Sequence, residues 1–186
     1  LMSAEDKRKL SSISMGIKFR DIPEPFYIAH RGGANIFPEN TMEAYEGCLA
    51  LGINMIEQDC RKMLDGSLAV MHDATVDRIT DKTGNVSDFT TMAWKNLNVT
   101  GVLPGWKDVP AVLFDEVLQR FGTRAIYVPE SKDRACVPEI VAALKRHNLI
   151  EYALIQSFNL GELQAAVNEG IPAMVLTSNE NTPPQT

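Results

Sequence analysis

No stretch of this 186-residue chain approaches the roughly 20 apolar residues that a membrane-spanning helix requires, so no transmembrane segment is read from it. Cysteine is scarce: Cys48, Cys60 and Cys136 are odd in number, scattered, and without Cys-x-x-Cys spacing. That excludes a disulfide framework and a zinc ribbon, and leaves buried reduced thiols as the reading. Excess positive charge is absent as well, since 18 Lys and Arg face 24 Asp and Glu for a net charge of −6. A general nucleic-acid binder would need a basic field, so that class is set aside. A small anionic substrate stays open if a few cations gather in one cleft. Residues 1–20 carry no apolar core of a secretory signal, which favours the cytoplasm. What remains is an ordinary globular balance, 45% hydrophobic and 23% charged, sized for one domain.

Three regions are read along the chain. Residues 1–24 form an arm with a few apolar positions (Ile13, Met15, Ile17, Phe19), residues 25–177 the main domain, and residues 178–186 a polar tail containing Pro183-Pro184. Within the domain, apolar runs at 26–29, 53–59, 67–72, 125–128, 152–155 and 173–176 read as six strands. Amphipathic stretches between them read as helices, one opening at Asn40 as N-cap with Glu43 three residues on, others at 90–97, 114–121, 138–147 and 160–168. A turn is expected at Asp65-Gly66. Strands separated by helices imply parallel pairing and an α/β fold, either an open doubly wound sheet or a (β/α)8 barrel.

The reactive residues cluster at the ends of these strands. His30-Arg31 follows the first, Glu57 and Asp59 lie late in the second, His72-Asp73 ends the third, and Glu130 and Lys132 follow the fourth. Parallel α/β folds build ligand sites at carboxyl strand ends, so the four groups are expected to converge. Glu57 and Asp59 are two apart and share a face, and a hard divalent cation would relieve their repulsion. Glu130 could supply a third oxygen, a set that suits Mg²⁺ or Ca²⁺ better than Zn²⁺. The alternative is a salt-bridged group of acids at the strand ends. His30 and His72 could act as acid and base, Arg31 and Lys132 could hold phosphate oxygens or simply balance charge, and His147 reads as a helix end without chemistry.

In order, His30-Arg31-Gly32, Pro38-Glu39-Asn40-Thr41, Glu57-Gln58-Asp59, Asp65-Gly66, His72-Asp73 and Glu130-Ser131-Lys132 resemble the glycerophosphodiester phosphodiesterase family. Asp77-Arg78-Ile79-Thr80, Thr83-Gly84-Asn85-Val86 and Gln156-Ser157-Phe158 extend the resemblance from about residue 28 to 176. It implies a TIM-type barrel and hydrolysis of glycerophosphodiesters to glycerol 3-phosphate and an alcohol, a small-molecule substrate. It implies one divalent cation on Glu57, Asp59 and Glu130, acid–base work by His30 and His72, and phosphate binding by Arg31 and Lys132. Which histidine is acid and which is base stays open, as does a cyclic phosphate intermediate. Phospholipase D-type cleavage of lysophospholipid or sphingomyelin, or a non-catalytic phosphate-binding module, are the alternatives. Pro129 stands before Glu130 where the family carries an apolar residue, and a proline there is expected to shift Glu130. Six strands of an eight-strand pattern would leave two edges open. The expectation is that residues beyond Thr186, the arm, or a second copy closes them.

Overall fold

A computed structural model describes residues 16–100, 103–106, 108–133 and 136–177. Residues 1–15, with Ile13 and Met15, and the tail at 178–186 lie outside the described residues. The central sheet has five strands in the order β2-β1-β5-β6-β7. They are β1 (Met55–Lys62), β2 (Leu68–Val70), β5 (Ile126–Ser131), β6 (Ile155–Ser157) and β7 (Ala173–Val175). β1, β5, β6 and β7 are parallel, with Asp59 opposite Glu130 and Glu130 opposite Gln156. Helices α1 (Met42–Ala50), α3 (Phe114–Phe121), α4 (Val137–Arg146) and α5 (Leu160–Asn168) connect or flank these strands. The fold is α/β, a partial barrel of the TIM type.

Three strand expectations are corrected. The run at 26–29 contributes only Ala29, which forms a single parallel bridge to Ile56, while Phe26 and Tyr27 are exposed. Because that pairing is parallel, residues 26–28 run back toward the point where β1 begins, at Met55, and find little strand to pair with. β2 takes up the other end of the same edge, with the Met71 N–H on the Asp59 carbonyl at 2.8 Å. β2 is also antiparallel to β1, because the turn through Asp65-Gly66 is too short for a crossover. The predicted third strand is thus a hairpin arm rather than a barrel stave. The fifth expected strand, 152–155, also starts later, at Ile155, since Tyr152 lies in a short 3₁₀ turn, Ile150–Tyr152.

Between β2 and α3 the chain builds a lobe from α2 (Thr91–Trp94) and the antiparallel pair β3 (Asn98–Val99) and β4 (Val109–Pro110). Trp94 is fully buried there, and its Nε1 donates to the Val112 carbonyl at 3.0 Å. The helix expected at 90–97 closes after one turn, since the chain at Asn98 joins the β3 pair.

Strand alternation sorts the sheet's two faces. Ile56, Cys60 and Tyr127 pack outward with Phe114, Leu118, Ile140 and Leu144 of α3 and α4. Met55, Ile126, Val128 and Leu154 point inward, where Phe19 and Ile22 of the N-terminal segment pack on them. The same parity sends Glu57, Asp59 and Glu130 inward, one or two steps further along. All three cysteines are free and buried, and burial pushes the Cys48 and Cys136 thiols up to about 11. No helix among the described residues is long and apolar enough to cross a membrane.

Candidate active site

Glu57, Asp59 and Glu130 are all buried, and one oxygen from each lies within 4.8 Å of the others. Register does this: β1 and β5 pair Asp59 with Glu130 directly, and Glu57 sits one pleat below. Pro129 does not displace Glu130. Odd-numbered backbone groups of β5 face β6, as the Leu154 N–H on the Tyr127 carbonyl indicates, and the β5–β6 ladder begins only at Glu130. Pro129 therefore interrupts the β5–β6 pairing, between the Tyr127–Ala153 bridge and Glu130, and leaves intact the β1–β5 register that sets Glu130 beside Asp59.

Burial, with the charges of Asp59 and Glu130, pushes the Glu57 carboxyl up to about 8. Asp59 Oδ1 is buried without a hydrogen-bond partner, although Lys132 Nζ approaches to 3.6 Å. Three crowded carboxylates, one protonated near neutrality and one with an orphaned oxygen, fit a hard divalent cation. The donor set contains no sulfur or nitrogen, so it does not suit zinc.

The cations take flanking places. Lys132 Nζ lies 2.8 Å from Glu130 Oε1, and Arg31 Nε lies 3.6 Å from Asp59 Oδ2. Arg31 adopts a left-handed backbone at φ 51°, and this turn aims its N–H at Glu57 Oε2, 2.5 Å away. Gly32 follows at φ 72°, where a Cβ would meet Ala44 and the Tyr45 ring at 2.9 Å. That close approach seats the turn against α1.

His72 is anchored at both ends. Its carbonyl accepts from Arg61 Nε and Nη2 at 3.0 and 2.6 Å, and its Nδ1 lies 2.7 Å from Asp73 Oδ1. Arg78 and the His72 imidazole hold Asp73 at about 2, well below the usual carboxylate range. His30 is exposed at the head of the turn, next to Arg31. Among the described residues no hydrogen bond joins either imidazole to the three carboxylates. His147 ends α4 and pairs with Asp115, away from the site.

Four residues escaped the chemical reading of the sequence. Asn40 is not the helix cap; Thr41 is, accepting from the Ala44 N–H at 3.2 Å. Asn40 instead adopts φ 57° and donates from Nδ2 to Asp59 Oδ2 at 2.8 Å, while its Oδ1 accepts from the Tyr45 hydroxyl at 3.1 Å. Gln156 Nε2 reaches Glu57 Oε1 at 3.4 Å. Arg61 and Arg78 are the other two. The Pro38–Thr41, Asp77–Thr80 and Gln156–Phe158 motifs signal three of the four, and motifs alone assign no contact. Beside Glu130 and Lys132 a groove of about 600 Å³ opens between Ser157, Phe158, Leu160 and Glu162.

Residues 30–185 match the sequence model of the glycerophosphoryl diester phosphodiesterase family. The chain belongs to that family. It is 32% identical over 151 residues to a glycerophosphodiester phosphodiesterase of Bacillus subtilis (strain 168), covering 71% of this chain and 52% of that protein. It is 35% identical over 142 residues to one from Caldanaerobacter subterraneus, covering 71% and 57%. The chain thus spans about half the length of the curated relatives it matches. The crystal structure of a glycerophosphodiester phosphodiesterase from Agrobacterium tumefaciens superposes with a TM-score of 0.72 at 26% identity, over 80% of this chain and 65% of that one.

Proposed function

We propose that the chain hydrolyses glycerophosphodiesters to glycerol 3-phosphate and an alcohol, with one Mg²⁺ or Ca²⁺ ion on Glu57, Asp59 and Glu130. The observation that carries this reading is the buried carboxylate triad flanked by Arg31 and Lys132, with an imidazole on a carboxylate nearby. The names of the relatives above, all glycerophosphodiester phosphodiesterases, support the substrate class.

When bound, the ion supplies positive charge against the phosphate oxygens and the charge that builds on them during cleavage. Arg31 presents a planar fork to a second phosphate oxygen, and Lys132 a movable charge to a third. Asn40 keeps Asp59 in place from behind. His30 and His72 move one proton off the entering oxygen and one onto the leaving alcohol oxygen. The turn through Gly32 holds Arg31 against the acidic cluster, with His30 beside it in the chain.

The direct test is release of glycerol 3-phosphate from a glycerophosphodiester by the purified protein. Chelator should abolish release, and added Mg²⁺ or Ca²⁺ should restore it. Substrate binding without turnover under saturating metal would contradict the proposal and favour a binding module.

A further inference from the structure

We infer that Glu39 and Arg78 are positioning residues: Glu39 holds the Arg31 guanidinium and, through Arg78 and Asp73, the His72 imidazole, so phosphate grip and proton transfer depend on one buried carboxylate. This rests on the hydrolytic reading above.

The Glu39 side chain is 5% exposed, and a carboxylate is buried at that level only when paired and hydrogen-bonded. Arg78 pairs it with both terminal nitrogens, Nη1 to Oε2 at 3.0 Å and Nη2 to Oε1 at 2.7 Å. The other edge of the same guanidinium meets Asp73, Nε to Oδ2 at 2.6 Å and Nη2 to Oδ1 at 3.2 Å. Asp73 Oδ1 then faces His72 Nδ1 at 2.7 Å. An ionised carboxylate can only accept, so Nδ1 carries the proton in this contact and Nε2 is the nitrogen left for chemistry. On its other side Glu39 Oε1 accepts from Arg31 Nη1 at 3.4 Å.

The chain makes these links between separate parts of the fold. Glu39 precedes α1, whereas Asp73 and Arg78 follow the β1–β2 hairpin. Charge neutralisation of Glu39 alone would need no contact with Asp73. Arg78 is also 43% exposed, where a simple ion pair contributes little. Its two-sided, planar engagement is a geometry that lysine cannot copy.

The test compares wild type, Arg78→Lys, Arg78→Met, Glu39→Gln and, as a surface control, Arg120→Met, all in the full protein at saturating metal. Turnover of a glycerophosphodiester and the ¹⁵N imidazole resonances of His72 are measured on each. Arg78→Met should lower kcat roughly 10- to 100-fold with KM changed by about twofold or less, and should shift the His72 Nδ1 resonance. Arg78→Lys should recover only part of the loss. Glu39→Gln should lower kcat and raise KM together, because Arg31 is released as well, and Arg120→Met should match wild type. Unchanged kcat and an unchanged His72 spectrum in Arg78→Met would overturn the inference, as would a loss confined to thermal stability. Arg78 is partly exposed, so its variants carry the test if Glu39→Gln fails to fold. If the wild type does not hydrolyse the substrate, the hydrolytic reading falls, and the His72 spectra still decide whether Arg78 sets that imidazole.

Discussion

The floor of the site and its rim are held by different means. On the floor, Glu57, Asp59 and Glu130 sit on adjacent parallel strands, so backbone register brings them together. At the rim, His72 and Arg31 depend on side-chain bonds from Arg61, Asp73, Arg78 and Glu39. A ladder of backbone bonds is lost only with the fold, whereas a side-chain chain breaks one link at a time. The floor therefore tolerates change in its surroundings, and the rim is where activity can be lost without loss of structure.

The largest effect should come from breaking the floor. Asp59→Asn removes a charge from the central ligand, and turnover should fall by at least about 10³-fold while the melting transition stays cooperative. Assay of glycerol 3-phosphate release checks it. Retained activity would mean that register has assembled an acidic cluster without a catalytic use.

Breaking the rim comes next. His30→Ala and His72→Ala should each lower kcat at least roughly 10²-fold, with substrate binding much less affected because Arg31 and Lys132 remain. Steady-state kinetics separate the two quantities. A variant with near-full kcat assigns that histidine to structure alone.

Asn40 joins the two regions, since it holds Asp59 while standing on the loop beside Glu39. Asn40→Ala should weaken divalent-ion affinity about tenfold and leave the fold intact, measurable by calorimetric titration. An unchanged affinity would place the floor wholly under backbone control.

The smallest expected effect is on stability. Between its ordinary value of 4.5 and about 8, the folded Glu57 carboxyl keeps a proton that the unfolded chain has released. Stability of the metal-free protein should therefore fall as pH rises through that window. A bound ion displaces the proton, so the rise in Tm on adding Mg²⁺ should be larger at pH 8 than at pH 6. Glu57→Gln should melt higher than metal-free wild type at pH 8 and show no such gain. Melting curves at the two pH values decide it.

Much of the floor was legible in the sequence because strand parity is a local rule. Glu57 and Asp59 share a face whatever surrounds them, and parallel strands bring Glu130 alongside. Helices Phe114–Phe121 and Leu160–Asn168 fell where their amphipathic spacing put them. Strand 26–29 did not, because an apolar run becomes a strand only beside a partner, and residues 26–28 lie alongside the start of β1, where only Ala29 finds one. Asparagine caps helices well, so the sequence puts the cap at Asn40, and only the fold reveals that Thr41 caps while Asn40 turns to Asp59. Arg61 and Arg78 were illegible for another reason. Arg78 stands in a loop without periodicity, Arg61 stands on β1 where parity gives a face but no partner, and their partners lie up to 72 residues away.

The central claim is that Glu57, Asp59 and Glu130 together hold one divalent ion. Isothermal titration of metal-free protein with Mg²⁺ or Ca²⁺ at pH 8 tests it most directly. One ion should bind per chain, with proton release, and Asp59→Asn should abolish that binding. No binding by the folded wild type, or undiminished binding by Asp59→Asn, would contradict the account.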